Sequence, residues 1–336
     1  MHTMVVGATS WGCTLAICMD RAGHDVAVLC RTQAEAAALA AAREHRRLLP
    51  GVPLPESLVF THDAASIGAP ETVIWATPSQ RLRDNLNTVL LQLPPGDTIH
   101  ASAAKGLERG SHLRMSEVIA EELAVAGRTE LVGVVSGPNI AREVACGLPA
   151  TTVVASADSE ARSRLRDALS SNRFRVYTNE DVIGVELGGA LKNVIAIAVG
   201  TAVGLDVGDN ARAALMTRGL AEIARLGVAL GASAATFAGL AGLGDLLATA
   251  MSPRSRNRTL GERLGSGMTL AQAVADTPHV VEGIETTRVA LELARKVGVQ
   301  LPVAEVVAQV LFKNLSPRDA IRVLMERAPA EEDQGT

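Results

Sequence analysis

Aromatic side chains are almost missing: phenylalanine, tryptophan and tyrosine make up 2% of the 336 residues. The net charge is −4, so the chain has neither a basic field to hold nucleic acid nor rings for bases to stack on. Nucleic acid is therefore not an expected partner. Cysteine is scarce as well. Cys13, Cys18, Cys30 and Cys146 form no CxxC pair and no zinc-ligand spacing, so each is expected as a small buried hydrophobe in a reducing cytoplasm. No metal site is expected. Long apolar runs are lacking too: residues 194–205 are the longest, short of the roughly 18 that a membrane span needs. The first seven residues enter a strand without the layout of a signal peptide. The scarcest basic residue is the most informative. Of 32 basic residues only Lys105, Lys192, Lys296 and Lys313 are lysines. Arginine serves wherever only positive charge is needed, but it cannot give up its proton at ordinary pH.

What is present is a core. Hydrophobic residues reach 48% and charged residues 20%, a globular balance, and 336 residues suggest two domains at roughly 150 each. Short apolar segments at residues 4–6, 26–29, 58–61, 73–77, 98–102, 132–136 and 152–155 alternate mostly with helical patterns. Strands that are apolar throughout and joined by helices predict a parallel sheet covered on both faces. Thr32 with Glu35 three residues on has capping-box spacing. After Tyr177 the strand signal stops, and residues 181–204, 210–231, 286–297, 304–312 and 316–326 carry helical periodicity. Ser316-Pro317-Arg318-Asp319 is a helix start with cap, proline and acid in order. The expected class is α/β: an N-terminal Rossmann-type doubly wound sheet (1–180), an all-α C-terminal domain (181–328) and a polar, disordered tail (329–336).

Five motifs carry chemistry. Gly7-Ala8-Thr9-Ser10-Trp11-Gly12 sits between the first strand and helix, where a G-x-G-x-x-G turn presents a helix N-terminus to a pyrophosphate. Thr9 replaces the middle glycine; its β-carbon narrows the phosphate's approach, and its hydroxyl can donate a hydrogen bond in return. At the end of the second strand Leu29-Cys30-Arg31 stands where an acid would hold a ribose 2′-hydroxyl, which favours NADP(H) over NAD(H). Lys105-Gly106-Leu107 and Ser136-Gly137-Pro138-Asn139 each follow a strand end, where ligands bind in such sheets. Gly188 and Gly189 each cost a helix about 1 kcal/mol, which predicts close approach of backbone or ligand. Lys192 stands one turn on in an otherwise apolar helix. Gly239, Gly242 and Gly244 lead to Asp245, Arg256 offers a planar fork for phosphate, and Val280-Val281-Glu282-Gly283 is a further candidate contact.

Over about residues 3–327 the chain resembles the bacterial-type NAD(P)-dependent glycerol-3-phosphate dehydrogenases. The likeness rests on Ser10-Trp11-Gly12, Lys105-Gly106-Leu107, Ser136-Gly137-Pro138, residues 184–194, residues 208–215, and residues 239–245 with 255–258. It implies Lys192 as catalytic acid/base. Substrate contacts then fall on Lys105, Gly137, Asn139, Lys192, Asp245, Ser255, Arg256 and Asn257. Cofactor contacts fall on Gly7, Ser10, Trp11, Gly12, Arg31, Lys105, Ala141, Arg256, Val280 and Glu282. The chain departs from the family at Thr9, where glycine is usual, and at Asn139, where serine or threonine is usual.

The expected reaction is reversible hydride transfer that reduces dihydroxyacetone phosphate to sn-glycerol 3-phosphate, a glycerophospholipid precursor. In it Lys105 polarises, Lys192 moves the proton, Asp245 orients the amine, and Arg256 with Asn257 holds the phosphate. Thr9 and Asn139 keep open a paralogue that reduces another phosphorylated keto compound. A third reading, a dinucleotide sensor without turnover, has no need of both lysines and Asp245. The sequence leaves the oligomeric state open, a homodimer included.

Overall fold

A computed structural model describes residues 1–275 and 280–326. The expected tail at 329–336 lies outside the described residues. The chain divides into two compact units, one made of Met1–Ala104 with Leu113–Val182, the other of Lys105–His112 with Ile183 onward. The segment Lys105–His112 thus joins the second unit, although it falls within the first half of the sequence.

The first unit is a sheet of eight strands: β1 (His2–Val6), β2 (Asp25–Leu29), β3 (Val59–Thr61), β4 (Thr72–Trp75), β5 (Ile99–Ser102), β6 (Leu131–Ser136), β7 (Ala150–Ala155) and β8 (Phe174–Asn179). Their order is β3-β2-β1-β4-β5-β6-β7-β8. Side chains alternate across it. Val5, Val28, Ile74 and Ile99 face one core with Leu15 and Leu165, while Met4, Val6, Val73 and Trp75 face a second with Leu82, Leu86 and Ile119. Both faces are therefore covered, as all-apolar strands require.

Two details depart from expectation. The β6–β7 pair is antiparallel, not parallel. A parallel return needs a crossover as long as the strand, and the intervening helix Ala141–Ala145 has only five residues, roughly 7 Å at 1.5 Å per residue. The eighth strand was not anticipated, because it is not uniformly apolar: Phe174 and Val176 are buried while Arg175 and Tyr177 are exposed.

Among the described residues the second unit holds helices and no strand. At its centre is the helix Val182–Gly204, apolar on all sides and buried accordingly. By length and composition this helix is long enough to cross a membrane, which the uninterrupted apolar run did not suggest. Yet 83% of its most apolar window is buried inside the fold, and it carries Glu186 and Lys192, so it packs as a core helix. Around it lie Gly208–Ala229, Asp245–Met251, Arg256–Gly265, Glu282–Val297, Pro302–Phe312 and Pro317–Met325. The last begins as its sequence predicts, with the Ser316 hydroxyl accepting from the Asp319 amide ahead of Pro317. Leu107 is buried in this helical core, which fixes Lys105–His112 to it.

Candidate active site

The site in the second unit is built by glycine. A β-carbon on Gly188 would lie 2.8 Å from the Ala241 carbonyl oxygen, and one on Gly242 would overlap the Phe237 backbone. So the close approach predicted for Gly188 is to backbone. The approaching segment, Leu240–Gly244, is a single wide π-helical turn that delivers Asp245 as the first residue of Asp245–Met251. One turn beyond Gly188 stands Lys192, which meets Asp245 because the two backbones touch.

Lys192 is 5% exposed. Its ammonium donates to Asp245 Oδ1 at 2.8 Å and to the Thr249 hydroxyl. Lys105 donates to the other carboxylate oxygen, Asp245 Oδ2, at 2.6 Å. One buried carboxylate therefore sits between two ammonium groups. Burial pulls Lys192 down to about 8; Asp245 opposes that shift, while the positive charges of Lys105 and Arg256 reinforce it. An amine with that acidity exchanges its proton readily near neutral pH.

A chain of amides holds the cluster. Asn193 donates to the Lys105 carbonyl at 3.1 Å, Asn257 donates to Asn193 Oδ1 at 2.8 Å, and Asn257 Oδ1 accepts from the Gly283 amide at 3.0 Å. Asn257, expected on a phosphate, thus engages its carbonyl and one N–H inside the protein, where it positions Asn193. Ser255 caps Arg256–Gly265 by accepting from the Arg258 amide. Arg256 is exposed and donates one guanidinium N–H to the Val280 carbonyl at 2.8 Å. Glu282 begins the helix Glu282–Val297 immediately after. Thr249 and Asn193 were not anticipated. Thr249 follows Asp245 by one helical turn, a spacing visible only once residues 245–251 are recognised as helix. Asn193 adjoins Lys192 in sequence.

The first unit carries the other expected residues. Gly7 has φ +106°, and a β-carbon on Gly12 would overlap the Gly7 carbonyl oxygen, so the turn between β1 and the helix Ser10–Arg21 admits glycine alone at both ends. Both glycines let the backbone pack closely, and the turn sets the N-terminus of Ser10–Arg21 directly after β1, the arrangement that receives a pyrophosphate in such folds. Trp11 Nε1 is buried without a partner beside it. These residues fit a dinucleotide. Thr9, however, does not aim its hydroxyl at a ligand: it caps the helix by accepting from the Gly12 amide at 3.0 Å and gives its only proton to the Ala76 carbonyl at 2.8 Å. Arg31 is exposed just past β2, and its backbone amide donates to Glu35, while Thr32 caps the following helix. Gly137 lies against Thr152 at the start of β7, and Ala141 opens a short helix. Asn139 is turned inward, donating to the Thr151 carbonyl at 2.8 Å and accepting from the Thr152 hydroxyl at 3.0 Å. These bonds clip its loop to β7.

The cysteines are all free, and burial raises Cys13, Cys18 and Cys30 to about 12, which leaves them inert thiols. Cys146 is exposed, contrary to expectation; it falls just after the five-residue helix, where the chain is at the surface. Among the described residues no group of three or more His, Cys, Asp or Glu could hold a metal.

A glycine turn after the first strand of a doubly wound sheet, with a helical unit that carries a buried lysine, is the build of an NAD(P)-dependent oxidoreductase acting on a CH–OH group. The models of NAD-dependent glycerol-3-phosphate dehydrogenase match residues 2–162 (N-terminus) and 181–322 (C-terminus). The chain belongs to that family. A glycerol-3-phosphate dehydrogenase of Thermobifida fusca is 49% identical, with 98% of each chain covered. One from Desulfitobacterium hafniense is 47% identical, with 98% of this chain and 92% of that one covered. The crystal structure of the Coxiella burnetii glycerol-3-phosphate dehydrogenase superposes with a TM-score of 0.90 at 36% identity, covering 97% of this chain and 98% of that one.

Proposed function

We propose that this protein reversibly reduces dihydroxyacetone phosphate to sn-glycerol 3-phosphate, supplying a glycerophospholipid precursor in the cytosol, with NADP(H) preferred to NAD(H). The single observation that carries the chemistry is the Lys192 ammonium, buried against Asp245 and Thr249 with Lys105 on the same carboxylate. The nucleotide preference rests on Arg31, past β2, with no acid at the end of that strand.

The nicotinamide supplies or removes the hydride when bound. Everything else falls to the side chains. In the reducing direction the carbonyl carbon of the substrate gains a hydride and its oxygen becomes an alkoxide, which takes one proton from Lys192 Nζ. In the oxidising direction the neutral Lys192 amine takes that proton back from the C2 hydroxyl. Lys105 lies against the same carboxylate and polarises the carbonyl, and Arg256 pairs with the phosphate through its guanidinium. Asp245 keeps both amines aimed without neutralising either fully, since one carboxylate faces two positive charges. Thr249 holds the neutral amine in place by offering its hydroxyl.

The signs are opposite in the two directions. Reduction needs charged Lys192 and falls as pH rises through about 8; oxidation needs the neutral amine and rises through the same pH. Absorbance of NADPH and NADH with dihydroxyacetone phosphate, and with sn-glycerol 3-phosphate in reverse, measures both. Lys192→Arg keeps the charge and removes the exchangeable proton, and should lower kcat by about 10²–10⁴-fold. A loss within about tenfold, or 1.4 kcal/mol, contradicts the assignment. A panel of phosphorylated ketones that ranks another above dihydroxyacetone phosphate in kcat/KM contradicts the substrate.

A further inference from the structure

Lys105 sits on a short excursion, Lys105–His112, that belongs to the helical unit. Its near end is held by Asn193 on the Lys105 carbonyl and by fully buried Leu107. Its far end is held by something the sequence did not flag. Glu292 and Lys296 lie one turn apart on the helix Glu282–Val297, spacing at which they would pair with each other. Instead the His112 ring stands between them, with Nε2 on the Glu292 carboxylate and Nδ1 2.7 Å from Lys296 Nζ.

The partners assign the ring's protons. A lysine ammonium has no acceptor, so Nδ1 must accept from it; Nε2 then carries the hydrogen and donates to Glu292. Only a neutral imidazole does both from one rigid ring. His112 also has φ +66°, a left-handed backbone costly for a residue with a β-carbon, and its amide closes a turn onto the Glu108 carbonyl at 3.0 Å. Between the anchors Arg109 faces Glu285 of the same helix at 3.9 Å. The His112 side chain is 15% exposed.

We propose that His112, clasped between Glu292 and Lys296, is a positioning residue that holds the Lys105 loop so that Lys105 stays on Asp245. This rests on the functional reading above only for its consequence in turnover. Releasing the clasp lets Lys105 leave Asp245. Lys192 then loses a neighbouring like charge and gains undivided use of the carboxylate, and both changes make its ammonium harder to deprotonate. A role confined to folding would leave that acidity untouched.

With only four lysines, isotope labelling at lysine Cε lets the Lys192 titration be followed by NMR in the whole protein, without substrate. In the wild type the Lys192 signal should titrate near 8; in His112→Ala it should move upward by about half a unit or more. The KM for dihydroxyacetone phosphate should rise severalfold. Glu292→Gln, at a half-exposed position, should do the same more weakly if His112→Ala does not fold, and the double variant should be no worse than His112→Ala. His112→Gln, which retains a donor and an acceptor, should restore part of the shift. An unchanged Lys192 titration in both His112→Ala and Glu292→Gln overturns the proposal even where thermal stability falls. Absence of wild-type turnover with dihydroxyacetone phosphate would instead overturn the functional reading, and the titration would still decide this one.

Discussion

The turn after β1 and the lysine–carboxylate cluster place polar groups by opposite means. The turn is made within six consecutive residues: Gly7 bends the chain, Thr9 caps the helix, and Gly12 lets that helix pass the Gly7 carbonyl. The cluster draws Lys105, Lys192, Asp245 and Thr249 from three separate stretches of chain, and it exists only because Gly188 and the Ala241 backbone touch. The turn is tied to the sheet through Gly7 on the Leu29 carbonyl and Thr9 on the Ala76 carbonyl, yet its shape comes from neighbouring residues, whereas an assembled site is as good as the contact between the elements that carry it. The two units also differ in the titratable group that each buries. The sheet unit hides a neutral histidine, His100, on the indole N–H of Trp75; the helical unit hides a carboxyl, Glu222, on the amides of Val303 and Ala304.

The sharpest way to separate the two sites is to damage the contact that builds only one of them. Gly188→Val drives a side chain into the Ala241 backbone and moves Asp245 off Lys192. We expect kcat to fall by about 10²-fold or more, the scale of an ångström's misplacement, with NADPH affinity unchanged by fluorescence titration. Gly12→Val should do the reverse, abolishing NADPH binding while the Lys192 titration stays put. If Gly188→Val spares kcat, the site does not depend on the helix contact.

Next in size is an opposed pH dependence of stability. Burial raises Glu222 to about 7; the folded state therefore binds more protons than the unfolded chain between roughly pH 4.5 and 7, and this stability is lost as pH rises through 7. A raised value of that size is worth about 3 kcal/mol as an upper bound. Burial lowers His100 to about 4, so its contribution runs the other way: it is present above about 6.5 and is lost as pH falls toward 4. Denaturant unfolding from pH 4 to 8 should show the two partly cancelling. In Glu222→Gln the cancellation should disappear, leaving stability that climbs with pH; in His100→Gln it should instead decline with pH. A Glu222→Gln profile parallel to wild type would count against the buried carboxyl.

The smallest effect concerns the departure at Thr9. Thr9→Gly removes the hydroxyl that caps the helix and binds Ala76, and should cost about 1 kcal/mol or less of stability by calorimetry. NADPH should bind no more weakly, since that hydroxyl is already committed within the protein. Weaker binding would mean that Thr9 serves the nucleotide after all.

Much of this was legible in the residues. All-apolar strands, the glycine turn and the Ser316 start announced themselves because each is a short-range pattern. Lys192 stood out through the rarity of lysine. Other features were hidden for physical reasons. The edge strand β8 alternates and so looks half polar. The antiparallel β6–β7 pair depends on how far a five-residue helix can carry the chain. Asn139 and Asn257 are polar residues in ligand-like motifs, and nothing in their type tells whether the amide faces outward or clips one segment to another. The membrane-length helix would mislead if hydropathy alone were weighed, because a core helix and a lipid-facing one share it.

By itself the sequence determined most of the strands and the long helices, and it marked the turn at Gly7–Gly12 and the lone lysine of an apolar helix as candidates, because backbone conformation and side-chain type are properties of neighbouring residues. Only the tertiary structure decided that two lysines share one carboxylate, that Thr249 joins them, and that the Lys105 loop is clasped to a distant helix. Those outcomes depend on distances between remote parts of the chain, set by where glycine allows backbones to meet, and burial then turns those distances into acidity.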